Sequence, residues 1–143
     1  MTNQLRSEGV RAPAKMGSWY DQEPRLSAVL AAHYKSEPQE GVKFVIAPHA
    51  GLAYAAESQG AVFSRVNLAE FEAVLILGVC HVFTLRGLGQ TRFSAWANPL
   101  DGSSIPVSAI EGIKTVEKQK DQAEHSIELL IPYLSYLMQK QGI

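Results

Sequence analysis

Two apolar segments that each lead into a histidine decide the fold expected of this chain. The first is VKFVI, residues 42–46, followed by APHAG, residues 47–51; the second is AVLIL, residues 73–77, followed by GVCH, residues 78–81. Short runs of β-branched and other apolar residues are typical of strands that are buried in a parallel sheet. We therefore predict neighbouring parallel strands at 42–46 and 73–77.

Histidines occupy equivalent positions after both predicted strands. In open α/β sheets, ligands bind at the carboxyl ends of the strands, so His49 and His81 are expected to face one shared cavity. Imidazole is the most common transition-metal ligand, which makes a metal site the first hypothesis. The alternative is a loop histidine whose ring is hydrogen-bonded to the backbone, and the residues alone leave both interpretations open.

Helical periodicity accounts for much of the remaining chain. Apolar residues at three- and four-residue steps predict helices over 25–34, 53–66 and 125–139. Pro132 lies inside the last pattern and is expected either to kink that helix or to mark its first turn, and Gly142 is a suitable stop. Together these elements predict an α/β fold in which helices flank a mostly parallel sheet.

Three other segments carry weaker signals. Residues 1–24 are expected to form an extended arm, because they contain prolines and few periodic apolar residues. Residues 91–96 alternate between polar and apolar types, as in a short strand. Residues 107–117 fit either a strand or a helix.

The composition is that of a soluble globular protein. A length of 143 residues suits one domain. The net charge is −1, from 13 basic and 14 acidic residues, so neither nucleic acid nor a membrane is an expected partner. The amino terminus lacks the apolar run of a signal peptide. Cys80 is the only cysteine, which excludes an intrachain disulfide, and we expect a cytoplasmic location.

Four short motifs, taken in order, resemble the Memo family. They are GSWY (17–20), APHAG (47–51), ILG (76–78) with His81, and EHSIE (124–128) followed by PY (132–133). This family, named for mediator of ErbB-driven cell motility, includes the AmmeMemoRadiSam system protein B. The resemblance extends over essentially the whole chain but only over the amino-terminal half of a typical member. We therefore expect residues 1–143 to be a single, truncated Memo-like domain.

The resemblance also implies a fold and a pocket. The Memo fold is related to that of class III extradiol dioxygenases, which hold non-haem iron with two histidines and a carboxylate. His49 and His81 correspond to residues of the family's metal-binding pocket, with copper or iron as the implied metal and zinc less favoured. Trp19, Glu124 and His125 correspond to residues that line the pocket or orient its ligands.

This chain departs from the family in two ways that concern the pocket. The usual Gly-Pro-Ser-His pattern is replaced by Gly78-Val79-Cys80-His81, so a thiol stands beside the candidate ligand and the stiff proline is absent. Family members also take further pocket residues from the half that this chain does not contain. We therefore expect an incomplete site that binds metal weakly, since mononuclear sites usually use three or more protein ligands.

Two of the candidate residues have plain structural alternatives. Cys80 could be a thiolate ligand or a redox-sensitive group near the pocket, but a lone cysteine is more often a small buried apolar residue, and we favour that interpretation. The segment around Glu124 and His125 precedes a predicted helix, so Ser126 could simply cap that helix.

Two functional hypotheses follow. One is a non-catalytic or weakly metal-binding Memo-like protein that acts in signalling or cell motility by binding a protein or peptide partner. The other is a metal-dependent redox or dioxygenase-like enzyme, with copper or non-haem iron held by His49 and His81. Because half of a Memo-like sheet would leave an apolar edge uncovered, we also expect self-association through that edge.

Overall fold

The structure, a computed structural model, describes residues 9–143. Within these residues the chain is α/β, with four α-helices, two short 3-10 helices and five short strands. The α-helices are α1 (Arg25–His33), α2 (Leu52–Phe63), α3 (Lys118–Ala123) and α4 (Ile131–Gln141), and the 3-10 helices are Leu68–Glu70 and Glu128–Leu130. The strands are β1 (Val10–Arg11), β2 (Gly89–Gln90), β3 (Ala95–Ala97), β4 (Ser104–Pro106) and β5 (Lys114–Thr115).

The hydrophobic core lies between α1, α2 and α4. Leu26 and Leu30, one helical turn apart on α1, are fully buried, as is Tyr133 of α4. The Tyr133 ring stacks on Phe63 of α2 with 5.9 Å between ring centroids, and its hydroxyl donates to the Ala56 carbonyl oxygen at 2.9 Å. Helices that are too short to be stable alone are thus held by packing of their apolar faces.

A glycine allows α1 and α2 to approach closely. A Cβ atom placed on Gly60 of α2 would lie 2.1 Å from the carbonyl oxygen of His33, at the end of α1. No other residue type fits this contact without a shift of backbone, so the helix pair depends on the absence of a side chain there.

Two small sheets lie beside the helical core. In the first, β3 pairs in parallel with β1 and antiparallel with β4. In the second, β2 and β5 form a parallel pair. Both sheets consist of strands of two or three residues, so neither forms a continuous layer beside the helices.

The strands predicted at 42–46 and 73–77 are wrong. Within the described residues neither segment pairs with a strand, and the mostly parallel sheet expected from them is not confirmed. The reason is physical: an apolar pattern sets the preference for a strand, but a ladder also needs a neighbouring backbone. Ala47 and Ile76 pack against the core, whereas Phe44, Ile46, Leu75 and Leu77 are exposed.

The three predicted helices are confirmed, in contrast to the strands predicted at 42–46 and 73–77. The helices expected over 25–34 and 53–66 are confirmed by α1 and α2. The last helix is also confirmed, although the 3-10 helix precedes it and α4 begins only at Ile131. Pro132 lies in the first turn of α4 rather than at a kink, and Gly142 ends it in the left-handed conformation, with φ of 69°.

The remaining predictions have mixed outcomes. The strand expected in 91–96 forms further along the chain as β3. Residues 107–117 contain only the two-residue strand β5, and α3, which follows them, was missed because its residues are almost all polar. Of the predicted extended arm, residues 1–8 lie outside the described residues. Within the described part of the chain, no helix is long and apolar enough to cross a membrane.

A buried ion pair fastens the described part of the arm to the segment before α4. The Arg11 guanidinium donates to the Glu128 carboxylate at 2.8 Å, and both side chains are buried. Arg11 also donates to the carbonyl oxygens of Asp121 and Glu124, at 2.9 and 2.7 Å, and lies over the Trp96 ring at 4.0 Å. These contacts hold the chain from Asp121 to Glu128 in place, and that stretch carries part of the candidate site.

Candidate metal site

Three histidines that are far apart in the sequence come together in the structure. The Nε2 atoms of His49 and His81 are 3.3 Å apart. The His125 ring centroid lies 4.3 Å from that of His81 and 5.8 Å from that of His49. One nitrogen from each of the three rings falls within 4.8 Å of the others, which is close enough for all three to hold one metal ion.

His49 lies in the loop between the apolar segment 42–46 and α2. The amide of Gln59, a fully buried residue of α2, donates to the Pro48 carbonyl oxygen at 2.7 Å and to that of Leu129 at 3.1 Å. On the other side of the loop, the Leu52 N–H donates to the Trp19 carbonyl oxygen at 2.9 Å. The loop that carries the imidazole is therefore fixed at both ends by hydrogen bonds.

Gln59 was not singled out from the sequence. Gln59 lies on the same helical face as Ala56, Gly60 and Phe63. A polar residue at a position where the pattern predicts burial was the signal that could have identified it. A buried polar side chain needs hydrogen-bond partners, and here they are the Pro48 carbonyl, next to His49, and the Leu129 carbonyl of the 3-10 helix before α4.

His81 is held by Glu124 through two hydrogen bonds. Its backbone N–H donates to one carboxylate oxygen at 2.5 Å, and its Nδ1 lies 2.9 Å from the other. An ionised carboxylate only accepts, so in the neutral ring Nδ1 carries the proton and Nε2 has the lone pair. That lone pair faces His49, which is the arrangement of a metal ligand oriented by a carboxylate.

The hydrogen bonds around Glu124 keep it charged. Burial by itself would raise the pKa of its carboxyl, but the backbone and ring N–H groups of His81, and the backbone N–H groups of His125 and Ser126, lower that pKa to about 2. The site therefore contains a permanent negative charge at neutral pH, within hydrogen-bonding distance of an imidazole.

His125 is held between Trp19 and the other two histidines. Its ring centroid lies 4.6 Å from that of Trp19. Burial lowers the pKa of His125 most, the Glu124 carboxylate raises it, and protonation of His81 or His49, or the charge of Lys15, lowers it. The net shift favours the neutral imidazole, which is the form that binds metal.

Gly78 brings the His81 segment against the start of the 3-10 helix. A Cβ atom at Gly78 would lie within 2.7 Å of the Ser126 Oγ and Ile127 Cγ1 atoms. The Ser126 hydroxyl donates to the Val79 carbonyl oxygen at 2.8 Å. The expectation that Ser126 caps the following helix is therefore wrong, because its hydroxyl is used to join the two segments that carry His81 and His125.

The sequence-derived candidates thus divide into two groups. His49, His81, His125, Glu124 and Trp19 lie together in one cluster. Cys80 does not join the ligand nitrogens: its Sγ atom lies 3.1 Å from the Phe83 carbonyl oxygen, and the residue is partly buried. Adjacent residues of an extended segment point to opposite sides, which separates the thiol from its neighbour His81.

The donor set is chemically suited to a transition metal. Imidazole nitrogens are good ligands for copper, zinc and iron, and three of them from three different segments are available here. The His81 side chain is 37% exposed, so the cluster is open to solvent on one side. An ion held there would keep positions for water or another ligand.

Comparison with known proteins gives a consistent family. Residues 11–143 match the family of Memo-like proteins. A MEMO1 family protein of Schizosaccharomyces pombe is 28% identical over 145 residues, which cover 95% of this chain and 47% of that protein. A MEMO1 family protein of Thermococcus kodakarensis is 30% identical, covering 93% of this chain and 50% of its own length. Mouse protein MEMO1 is 25% identical, covering 90% and 46%.

The chain thus spans about half the length of the curated relatives that it matches. The matched region contains all the residues of the histidine cluster, and the match begins at Arg11, which fastens the arm. The chain belongs to the Memo-like protein family.

Proposed function

We propose that this chain is a metal-binding member of its family, in which His49, His81 and His125 hold one transition-metal ion. The observation that carries the proposal is the approach of three imidazole nitrogens to within 4.8 Å of one another. The ion would be held at the junction of the His49 loop, the His81 loop and the segment before α4.

The spacing of the nitrogens supports the proposal. Two imidazole nitrogens that bind one tetrahedral ion at about 2.0–2.1 Å are themselves about 3.3 Å apart. The Nε2 atoms of His49 and His81 have this separation. An N–H···N hydrogen bond between the two rings fits the same distance, so the alternative is a purely structural histidine pair.

Glu124 supports the metal interpretation over the structural one. A carboxylate that accepts from the non-ligating nitrogen of a histidine is the usual partner of a metal-binding imidazole, because it fixes the tautomer and raises the basicity of the ligand nitrogen. Glu124 makes this contact with His81 at 2.9 Å. Two histidines that only packed against each other would not need a charged carboxylate at the Nδ1 atom of one ring.

The proposal of copper or iron rests on the family resemblance and not on the ligands. Imidazole suits zinc as well as copper and iron, and the resemblance favours copper or iron. Copper or iron would supply one-electron chemistry at an open position, which is the basis for a redox or dioxygenase-like activity. The residues around that position would orient whatever binds there: Trp19 offers an aromatic face beside His125.

Electron paramagnetic resonance of the Cu²⁺-loaded protein tests this function directly. We expect nitrogen hyperfine structure from three imidazoles in the wild type and from two in His125→Ala. His33→Ala is the matched control, because His33 lies at the end of α1 and outside the cluster. Unchanged nitrogen coupling in a variant that lacks all three cluster histidines would contradict the proposal.

A second function, partner binding in signalling or cell motility, is favoured by a different observation. The apolar side chains of 44, 46, 75 and 77 are exposed although they belong to segments with strand-like sequence. A protein or peptide that covers them in the cytoplasm would give a role that does not depend on catalysis. Partner binding that persists after the metal is removed with a chelator would separate this function from the first.

A further inference from the structure

We propose that Lys15 makes the histidine cluster a site for small organic carboxylates, with its ammonium group as the counter-charge beside the metal ion. The inference rests on the proposed metal site and adds the class of ligand that this site takes. Three features of the structure carry it: the position of Lys15, the pairing of the carboxylates around it, and the charge of the cluster.

The backbone of Lys15 is held in place by four hydrogen bonds. Its N–H donates to the Glu128 carboxylate at 2.6 Å. Its carbonyl oxygen accepts from the Ser18 and Trp19 N–H groups, at 3.1 and 2.9 Å, and from the Ser18 hydroxyl at 3.0 Å. The ammonium group is therefore carried by a flexible stem that starts from a fixed turn.

The Trp19 ring links Lys15 to the histidines. The Lys15 Nζ atom lies 5.9 Å from the centroid of that ring, and the His125 ring centroid lies 4.6 Å from the same point. The charge of Lys15 also acts on His125, because it is one of the charges that lower the pKa of that imidazole. Lys15 is partly buried and Trp19 is 40% exposed, so a ligand from solvent can reach this side of the cluster.

The carboxylates near Lys15 already accept from other groups. Glu124 accepts from the backbone and ring of His81 and from two further backbone N–H groups. Glu128 is paired with the Arg11 guanidinium at 2.8 Å. Among residues 9–143 the Lys15 ammonium has no ion-pair partner, so its charge is available to a ligand.

The charge of the loaded cluster favours an anion. Neutral imidazoles contribute no charge, so a divalent ion that they held would keep its own. Glu124 adds one negative charge and Lys15 one positive charge, which leaves the site positive by about two charges. An anion is attracted by both the ion and the ammonium group, whereas a neutral ligand gains nothing from the ammonium charge.

The groups present favour a carboxylate among the anions. One carboxylate oxygen can contact the ion while the other accepts a hydrogen bond from the ammonium group. Recognition of phosphate more often uses the planar fork of an arginine. Arg11, which could form such a fork, is buried in its pair with Glu128. A lysine acting as a single point charge matches a small monoanion.

Titration of sodium acetate into the Cu²⁺-loaded chain tests this inference, with the visible absorption and electron paramagnetic resonance of copper as the readouts. Lys15→Met removes the charge and keeps an apolar side chain of similar length. We expect this change to weaken acetate binding by about 3–5-fold at low ionic strength, as for a partly exposed ion pair. Lys15→Arg keeps the charge and should bind acetate as the wild type does.

Two controls separate the charge of Lys15 from a change of structure. Lys35→Met removes the same charge from another surface, where Lys35 lines a hollow with Lys140 and Gln141, and it should leave acetate binding unchanged. Imidazole, a neutral ligand for the same open position, should bind equally to the wild type and to Lys15→Met. The Cu²⁺ affinity of Lys15→Met should not fall, because the lost charge repelled the ion.

Equal acetate affinities in the wild type and Lys15→Met would overturn the inference. An equal loss of acetate binding in Lys35→Met, or a matching loss of imidazole binding in Lys15→Met, would also overturn it. All of these results would leave the metal site standing. A wild-type chain that took up no Cu²⁺ would instead refute the proposed function, and the assignment of Lys15 would fall with it.

Discussion

Glu124 holds His81 at two points, through the backbone N–H and through Nδ1 of the ring. The same carboxylate accepts from the backbone N–H groups of His125 and Ser126, at 2.8 and 3.1 Å. One side chain therefore fixes two of the three candidate ligands relative to each other.

Substitution Glu124→Gln should weaken metal binding. Glutamine has nearly the same size but no charge, and loss of such a ligand partner typically reduces metal affinity by about 10–100-fold. Competition with a chromophoric chelator measures the change. Glu117→Gln is the control, because Glu117 is exposed and its ion pair within the described residues is with Lys120 on α3. Equal affinities for Cu²⁺ in wild type and Glu124→Gln would show that the carboxylate does not orient a ligand.

The same carboxylate should make stability depend on pH. Its pKa is about 2 in the folded protein against 4.5 for the free group. Between about pH 4.5 and pH 2 the unfolded chain therefore binds more protons than the folded protein. The stabilisation by Glu124 is complete above about pH 4.5 and is lost as the pH falls towards 2. For a shift of this size the free energy of unfolding falls by at most about 3 kcal/mol.

Urea denaturation in the presence of a chelator, at several pH values between 7 and 2.5, measures this dependence. The Glu124→Gln protein should lack the corresponding part of the acid-induced loss. If both proteins lost stability in parallel with falling pH, the hydrogen bonds to Glu124 would not persist in solution.

The buried pair of Arg11 and Glu128 should be costly to break. Among the described residues, substitution Arg11→Met leaves the buried carboxylate with the Tyr20 hydroxyl and the Lys15 backbone N–H as its donors. Removing one partner of a buried ion pair typically costs about 3–5 kcal/mol of unfolding free energy. The control is Lys120→Met, which breaks the exposed pair with Glu117 and should cost less than about 1 kcal/mol. Similar losses in the two variants, measured by circular dichroism in urea, would contradict the buried pairing.

Gly78→Ala should disturb the histidine cluster from outside it. The added Cβ would meet the Ser126 hydroxyl and the Ile127 side chain, so the 78–81 segment must move. Overpacking of this kind typically costs about 1–3 kcal/mol, and the displacement of His81 should also lower metal affinity. Thermal melting and metal titration of the same sample measure both effects. If Gly78→Ala kept the melting temperature and the metal affinity of the wild type, the 78–81 segment would not be in contact with Ser126 and Ile127.

The sequence predicted the helices and the residues of the cluster better than the sheet. The spacing of apolar residues in α1, α2 and α4 is a local signal, and these helices form where that spacing predicts them. The segments before His49 and His81 have strand-like composition, but strand pairing depends on a neighbour that local sequence does not specify. The histidines nevertheless meet, because the loops are held by Gln59, Glu124 and Gly78 rather than by a ladder.

His125 shows the limit of spacing arguments for the site. It follows no predicted strand, so nothing in its local sequence places it beside His49 and His81. Its position comes from the buried contacts of Arg11 and Glu128, which are over a hundred residues apart in the chain. Long-range contacts of this kind are not readable from periodicity.

Calorimetric titration of Cu²⁺ and Zn²⁺ is the most direct test of the histidine cluster as a metal site. The wild-type chain should bind one ion, His49→Ala and His81→Ala should abolish that binding, and His125→Ala should weaken it. His33→Ala should bind as the wild type does, because His33 lies outside the cluster. Tight stoichiometric binding in a variant that lacks both His49 and His81 would place the ligands elsewhere and contradict the site described here.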